Sequence, residues 1–89
     1  MPQAIVDPEQ LRAFAAMLKR YSQTLRESTG AVAQAQARLA ETWRDQEQRK
    51  FSEEFEEQIK IVNKLLDATD KHIPYLLRKA EIIDEYLQR

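Results

Sequence analysis

His72 is the only histidine in the chain, and it lacks the company that imidazole chemistry requires. A two-histidine metal site and a histidine acid/base pair both need a second ring. The Glu-x-x-His pattern of a carboxylate-bridged di-iron bundle needs glutamate where Thr69 stands. Ser22, Ser28 and Ser52 have no base and orienting carboxylate at recognisable spacing, so nucleophilic catalysis has no support. There is no cysteine, which excludes disulfides and thiolate metal sites. The run Glu53-Glu54-Phe55-Glu56-Glu57 carries enough charge to suggest a cation or a basic partner, but it falls near a helix start, where acids are favoured by the helix dipole. It reads as a solvated face. No catalytic residue, cofactor or metal ligand is therefore expected. The most informative single residue is Trp43, the lone tryptophan, close to the midpoint of the 89 residues. An indole at a bend can be a recognition element for a larger machine or a plug closing the end of a helical bundle, and the two roles are compatible.

The elements that would position these residues are helices. Forty-three per cent of the residues are hydrophobic, 33% are charged, and glycine occurs once. That is the profile of long helices or coiled coil, not of a β or disordered protein. Residues 1–89 form one small domain, short enough to be marginal unless a partner adds to its core. The 14 basic and 15 acidic residues are interspersed and leave a net charge of -1, so there is no field to collect phosphates and nucleic acid is not an expected partner. No apolar run approaches the roughly 20 residues that span a bilayer, and Met1–Asp7 has neither a basic region nor an apolar core of a signal peptide. A soluble chain without a transmembrane segment is expected.

After a short arm at Met1–Val6, Asp7-Pro8-Glu9-Gln10 reads as a helix start, with Asp7 as N-cap and Pro8 in the first turn. Leu11, Phe14, Leu18, Tyr21, Leu25, Ser28, Val32, Ala35 and Leu39 then follow at alternating spacings of three and four, the mark of a helical seam. A first helix is predicted over about 8–40, continuous through Gly30, because Val32 and Leu39 keep the phase set before it. A turn over about 41–46 holds Trp43 and Asp45, with Asp45 as the next N-cap and Gln48 three residues on. A second helix over about 47–88 carries its own seam of Phe51, Phe55, Ile59, Val62, Leu66, Thr69, Ile73 and Leu76, with a kink expected near Pro74. So short a turn makes the helices antiparallel neighbours. Beside the second seam runs another stripe of Ile61, Leu65, Ala68, His72, Tyr75, Lys79, Ile82 and Tyr86. One neighbouring helix covers a two-position seam and no more, so Ile61, Leu65, Tyr75, Ile82 and Tyr86 are expected to face a partner. The predicted fold is all-α: a helical hairpin that pairs as a dimeric four-helix bundle.

Two helices of about forty residues, a central turn bearing Trp43, and phenylalanines at 51 and 55 resemble the WXG family of ESAT-like proteins. The family has Trp-X-Gly in the turn, and this chain has Trp43-Arg44-Asp45; aspartate tolerates left-handed backbone better than most residues. The resemblance implies a noncatalytic bacterial hairpin that forms a homodimer, or a heterodimer with a paralogous WXG-like protein. It also implies export without a cleaved signal peptide by a type VII secretion system, with a cytoplasmic stage before export and a secretion ATPase among the partners. The family's Tyr-x-x-x-Asp/Glu export motif is not present in residues 1–89: Tyr75 leads to Lys79, and Tyr86 is followed by Leu87-Gln88-Arg89, where the sequence stops. The contrasting expectation is a cytosolic coiled-coil scaffold or adaptor with no secretion role, in which Trp43 is only an end plug.

Overall fold

A computed structural model describes residues 6–88, so the expected arm at Met1–Val6 lies, apart from Val6, outside the described residues. Two α-helices follow one another, α1 (Pro8–Thr42) and α2 (Gln46–Leu87). Their 35 and 42 residues correspond to about 52 and 63 Å at about 1.5 Å per residue. The molecule is a rod with extents of 67 × 23 × 15 Å.

Each helix start is capped by an aspartate. The Asp7 carboxylate accepts a hydrogen bond from the Glu9 amide at 2.9 Å, and Pro8, which has no amide hydrogen to satisfy, opens the helix. The Asp45 carboxylate accepts from the Gln48 amide, also at 2.9 Å. Between the helices only residues 43–45 leave the helical conformation. Asp45 lies at φ −87°, ψ −175°, in extended backbone, and no described residue has positive φ. The turn therefore closes without the left-handed conformation that a glycine would supply, which explains how aspartate stands there unstrained.

The helices run antiparallel. Arg12 near the start of α1 pairs with Asp84 near the end of α2, and Gln36 near the bend donates to Ser52. α2 is helical without interruption across Pro74. The line of α1 against α2 consists of Leu11, Ala15, Leu18, Ser22, Leu25, Thr29, Ala33, Gln36 and Ala40, all buried or half-buried. It differs from the seam expected of α1. Phe14, Tyr21, Val32 and Leu39 are about half exposed and lie one position off that line, and Phe51 on α2 is likewise displaced outward in favour of Ser52. The reason is packing: α2 presents large side chains to α1 (Ile59, Val62, Leu66, Ile73, Leu76), and close approach of two helices requires small residues opposite them. Ala15, Ser22 and Ala33 meet that need where the bulkier neighbours Phe14, Tyr21 and Val32 would hold the helices apart.

Gly30 lies inside α1, where a Cβ built on it would meet nothing within 4 Å. Small size is not needed there for a close approach. Gly30→Ala is expected to stabilise the chain by about 1 kcal/mol through the lower entropy of its unfolded state. Chemical denaturation of both chains at equal concentration checks this, and an unchanged midpoint would contradict the open environment of Gly30.

Candidate functional site

The hairpin has two long sides, one on either hand of the interhelical line, and they differ in chemistry. On the first side a polar network ties the helices together. The Ser22 hydroxyl donates to Asp70 Oδ1 at 2.8 Å, and Arg26 Nη2 donates to Asp70 Oδ2 at 2.6 Å. Nearer the open end Arg12 joins Glu9 at 2.7 Å and also pairs with Asp84. The hydrogen bond to Asp84 raises the affinity of the Arg12 guanidinium for its proton. The Ser22 hydroxyl, followed by Arg26, holds the Asp70 carboxyl below its ordinary value of 3.8. Lys19, Ser22, Gln23, Arg26 and Asp70 line a groove on this side together with Ile73 and Leu77, so charged and apolar groups share it.

The opposite side is apolar. A groove of about 260 Å³ runs there between the helices, bordered by Leu25, Ser28 and Val32 from α1 and by Gln58, Ile59 and Val62 from α2. Continuing from Val32 at helical spacing, α1 presents Phe14, Met17, Tyr21, Thr24, Ser28, Ala35 and Leu39 on this side without one charge. Continuing from Gln58, α2 presents Phe51, Glu54, Ile61, Leu65, Ala68, His72, Tyr75, Lys79, Ile82 and Tyr86. Their exposure is high: 62% for Tyr75, 66% for Ile61 and 69% for Tyr86. The stripe from which Ile61, Leu65, Tyr75, Ile82 and Tyr86 were drawn as a partner-facing set is thus half of a wider surface. Phe14, Tyr21, Val32 and Leu39, expected in the seam, belong to the other half. Met17 was not singled out in the sequence, although its spacing from Phe14 and Tyr21 marks it.

The area is large for so small a chain. A folded monomer of 10.5 kDa is expected to expose about 5,400 Å². This chain exposes 7536 Å², an excess of roughly 2,000 Å². Much of that excess follows from the rod shape of two helices packed along one line.

At the bend, Trp43 is half-buried, its ring centroid 5.8 Å from that of Phe51 and tilted by 37°; Phe51 stacks in turn on Phe55 at 5.8 Å and 15°. Beneath this aromatic run, Ser52 accepts hydrogen bonds from Gln36 at 2.7 Å and from Gln48 at 2.6 Å. The bend is therefore closed by rings outside and amides inside. His72 is exposed, and among the described residues no three His, Cys, Asp or Glu side chains gather as a metal site would require. No helix, among the described residues, is long and apolar enough to cross a membrane.

The family model WXG100, described as proteins of 100 residues with WXG, matches residues 3–82. Neither a curated protein nor a solved structure matches the chain.

The Asp70 network sets an acid limit on stability. A carboxylate whose folded proton affinity is depressed contributes fully above its ordinary value near 3.8 and loses that contribution as pH falls toward the depressed one. The stability difference between the wild-type chain and Asp70→Asn is expected to be largest above pH 3.8 and to shrink below it. Urea titrations across that range measure it, and a difference independent of pH would contradict the assigned network.

Proposed function

The chain belongs to the WXG100 family, the small helical proteins of the type VII secretion kind, and on that premise we propose that it is a noncatalytic, dimerising substrate or adaptor of such a system. The observation that carries the reading is the uncharged outer stripe of α1 lying beside the Ile61–Tyr86 stripe of α2. Together they are a surface that one hairpin cannot shield by itself. A second WXG-like chain, identical or paralogous, is the partner that suits it, because two such sides facing one another complete a four-helix bundle. Export without a cleaved leader, after a cytoplasmic stage and with a secretion ATPase as further partner, belongs to the same reading.

Trp43 supports a second reading as well. Its contact with Phe51 gives the indole a structural task at the bend, which is all that a cytosolic coiled-coil scaffold would ask of it. The two readings separate through Trp43→Ala and Trp43→Phe. Loss of the half-buried indole is expected to cost about 2 kcal/mol in Trp43→Ala, and less in Trp43→Phe, which keeps a ring against Phe51. If the chain serves secretion, wild-type protein appears in culture medium only when the secretion ATPase is intact. Trp43→Phe then stays folded and dimeric while its export falls. Wild-type protein that never reaches the medium with the ATPase intact would overturn the secretory role and leave the scaffold.

A further inference from the structure

Charge is sorted along α2. Residues 53–57 hold four acids, Glu53, Glu54, Glu56 and Glu57, and residues 81–85 hold three, Glu81, Asp84 and Glu85. Between them, over residues 60–79, stand five cations and only two acids, Asp67 and Asp70. Asp70 is already taken up by Ser22 and Arg26 of α1. Of the five cations only Lys60 has an ion pair among the described residues, to Glu57 at 3.2 Å. Lys64, Lys71 and Arg78 are exposed and recur every seven residues, so they stand in one row, about 10 Å from each to the next and about 21 Å from first to last. The row is turned outward. Lys71 is two residues, or about 200° of helix, from both Thr69 and Ile73, which face α1, and the stripe of Ile61, Leu65 and Tyr86 runs to one side of it.

We infer that this outer ridge of α2 docks an acidic helix of a different protein, independently of any pairing through the apolar side. A helix returns to nearly the same face every seven residues, so a partner helix with carboxylates at that period, laid along α2, meets Lys64, Lys71 and Arg78 in turn. Exposed charges matched in this way fix the partner and its register more than they add affinity, so the contact is transient and sensitive to salt. The acids at either end set its length. A nucleic-acid strand or an anionic bilayer carries negative charge well beyond the row, and would be held against Glu53–Glu57 or Glu81–Glu85. A second copy of the chain suits the ridge no better. Its α2, laid centre on centre, sets cations against cations, and the outer line of its α1 carries Glu27 and Glu41 with Gln34 where the middle carboxylate is needed.

The test follows the amide resonances of the isotope-labelled full chain, in about 20 mM salt, as a helical alanine-based peptide of about 22 residues is added, with a glutamate pair at each of three places seven residues apart. The amides around Lys64, Lys71 and Arg78 are expected to shift with a Kd of about 1 mM, and the shifts to vanish in about 0.5 M salt. Lys71→Glu, its helicity checked by circular dichroism, weakens the peptide about fivefold, and a peptide with lysines in its central pair restores the loss. Arg20→Glu, on the outer side of α1, costs about twofold at most. The comparison probes are a peptide of the same composition with its glutamates massed at one end, an oligothymidylate of about 20 nucleotides, and vesicles of phosphatidylserine with phosphatidylcholine. Any of them that binds as tightly as the spaced peptide overturns the acidic helix as occupant. No shift at about 5 mM peptide, or shifts centred on Ile61, Leu65 and Tyr86, overturn the ridge. Sedimentation separates this surface from the pairing side: Lys71→Glu is expected to associate with itself as wild type does, and a loss of that association overturns the independence of the ridge. A wild type that never associates with itself yet binds the spaced peptide leaves the ridge standing while the pairing reading falls.

Discussion

Two helices touch along a line. Each can bury one stripe against the other, and with no third element everything outside that stripe stays in contact with solvent. Leu66 is the one large side chain fully buried among the described residues. Leu11 apart, the rest of the interhelical line is small or half-covered, which leaves the chain little hydrophobic stabilisation of its own. Many of its large apolar side chains, from Phe14 and Tyr21 to Ile61, Tyr75 and Tyr86, lie instead on one outer side.

Rotation of the helices about their axes decides which side that is; packing selects the rotation, and polar groups agree with it. Asp70 holds Ser22 and Arg26, Asp84 holds Arg12, and Ser52 gathers Gln36 and Gln48. The ion pairs are exposed enough that each contributes little to stability. They agree with the packing, which sets Ala15 and Ser22 inward and Phe14, Met17 and Tyr21 on the other side. The bend adds a second restraint. Trp43, Phe51 and Phe55 form a run of rings that sets how the chain enters α2. The same contacts that hold the hairpin closed thus define the surface it offers.

Much of this was legible in the residue pattern. Asp7 with Pro8 and Asp45 with Gln48 mark both helix starts because capping is local chemistry, readable from neighbours in sequence. The α2 line from Phe55 through Leu66 to Leu76 is legible because its large residues recur without competition. On α1 the pattern is degenerate: Leu11, Leu18 and Leu25 belong equally to a stripe through Phe14 and Tyr21 and to one through Ala15 and Ser22. Hydrophobicity favours the first, and tertiary packing selects the second. The clasp of Asp70 on Ser22 and Arg26 joins residues on different helices, and no local rule reaches that far. The exposed apolar side was consequently half visible, on α2, and half concealed among residues that looked like core.

The distribution of aromatic chemistry has a practical corollary. All three tyrosines, Tyr21, Tyr75 and Tyr86, lie on the apolar side, whereas the single indole closes the bend. A reagent that nitrates or iodinates phenols therefore addresses one surface of this rod and no other. Tryptophan emission, read separately, reports on the bend between the helices.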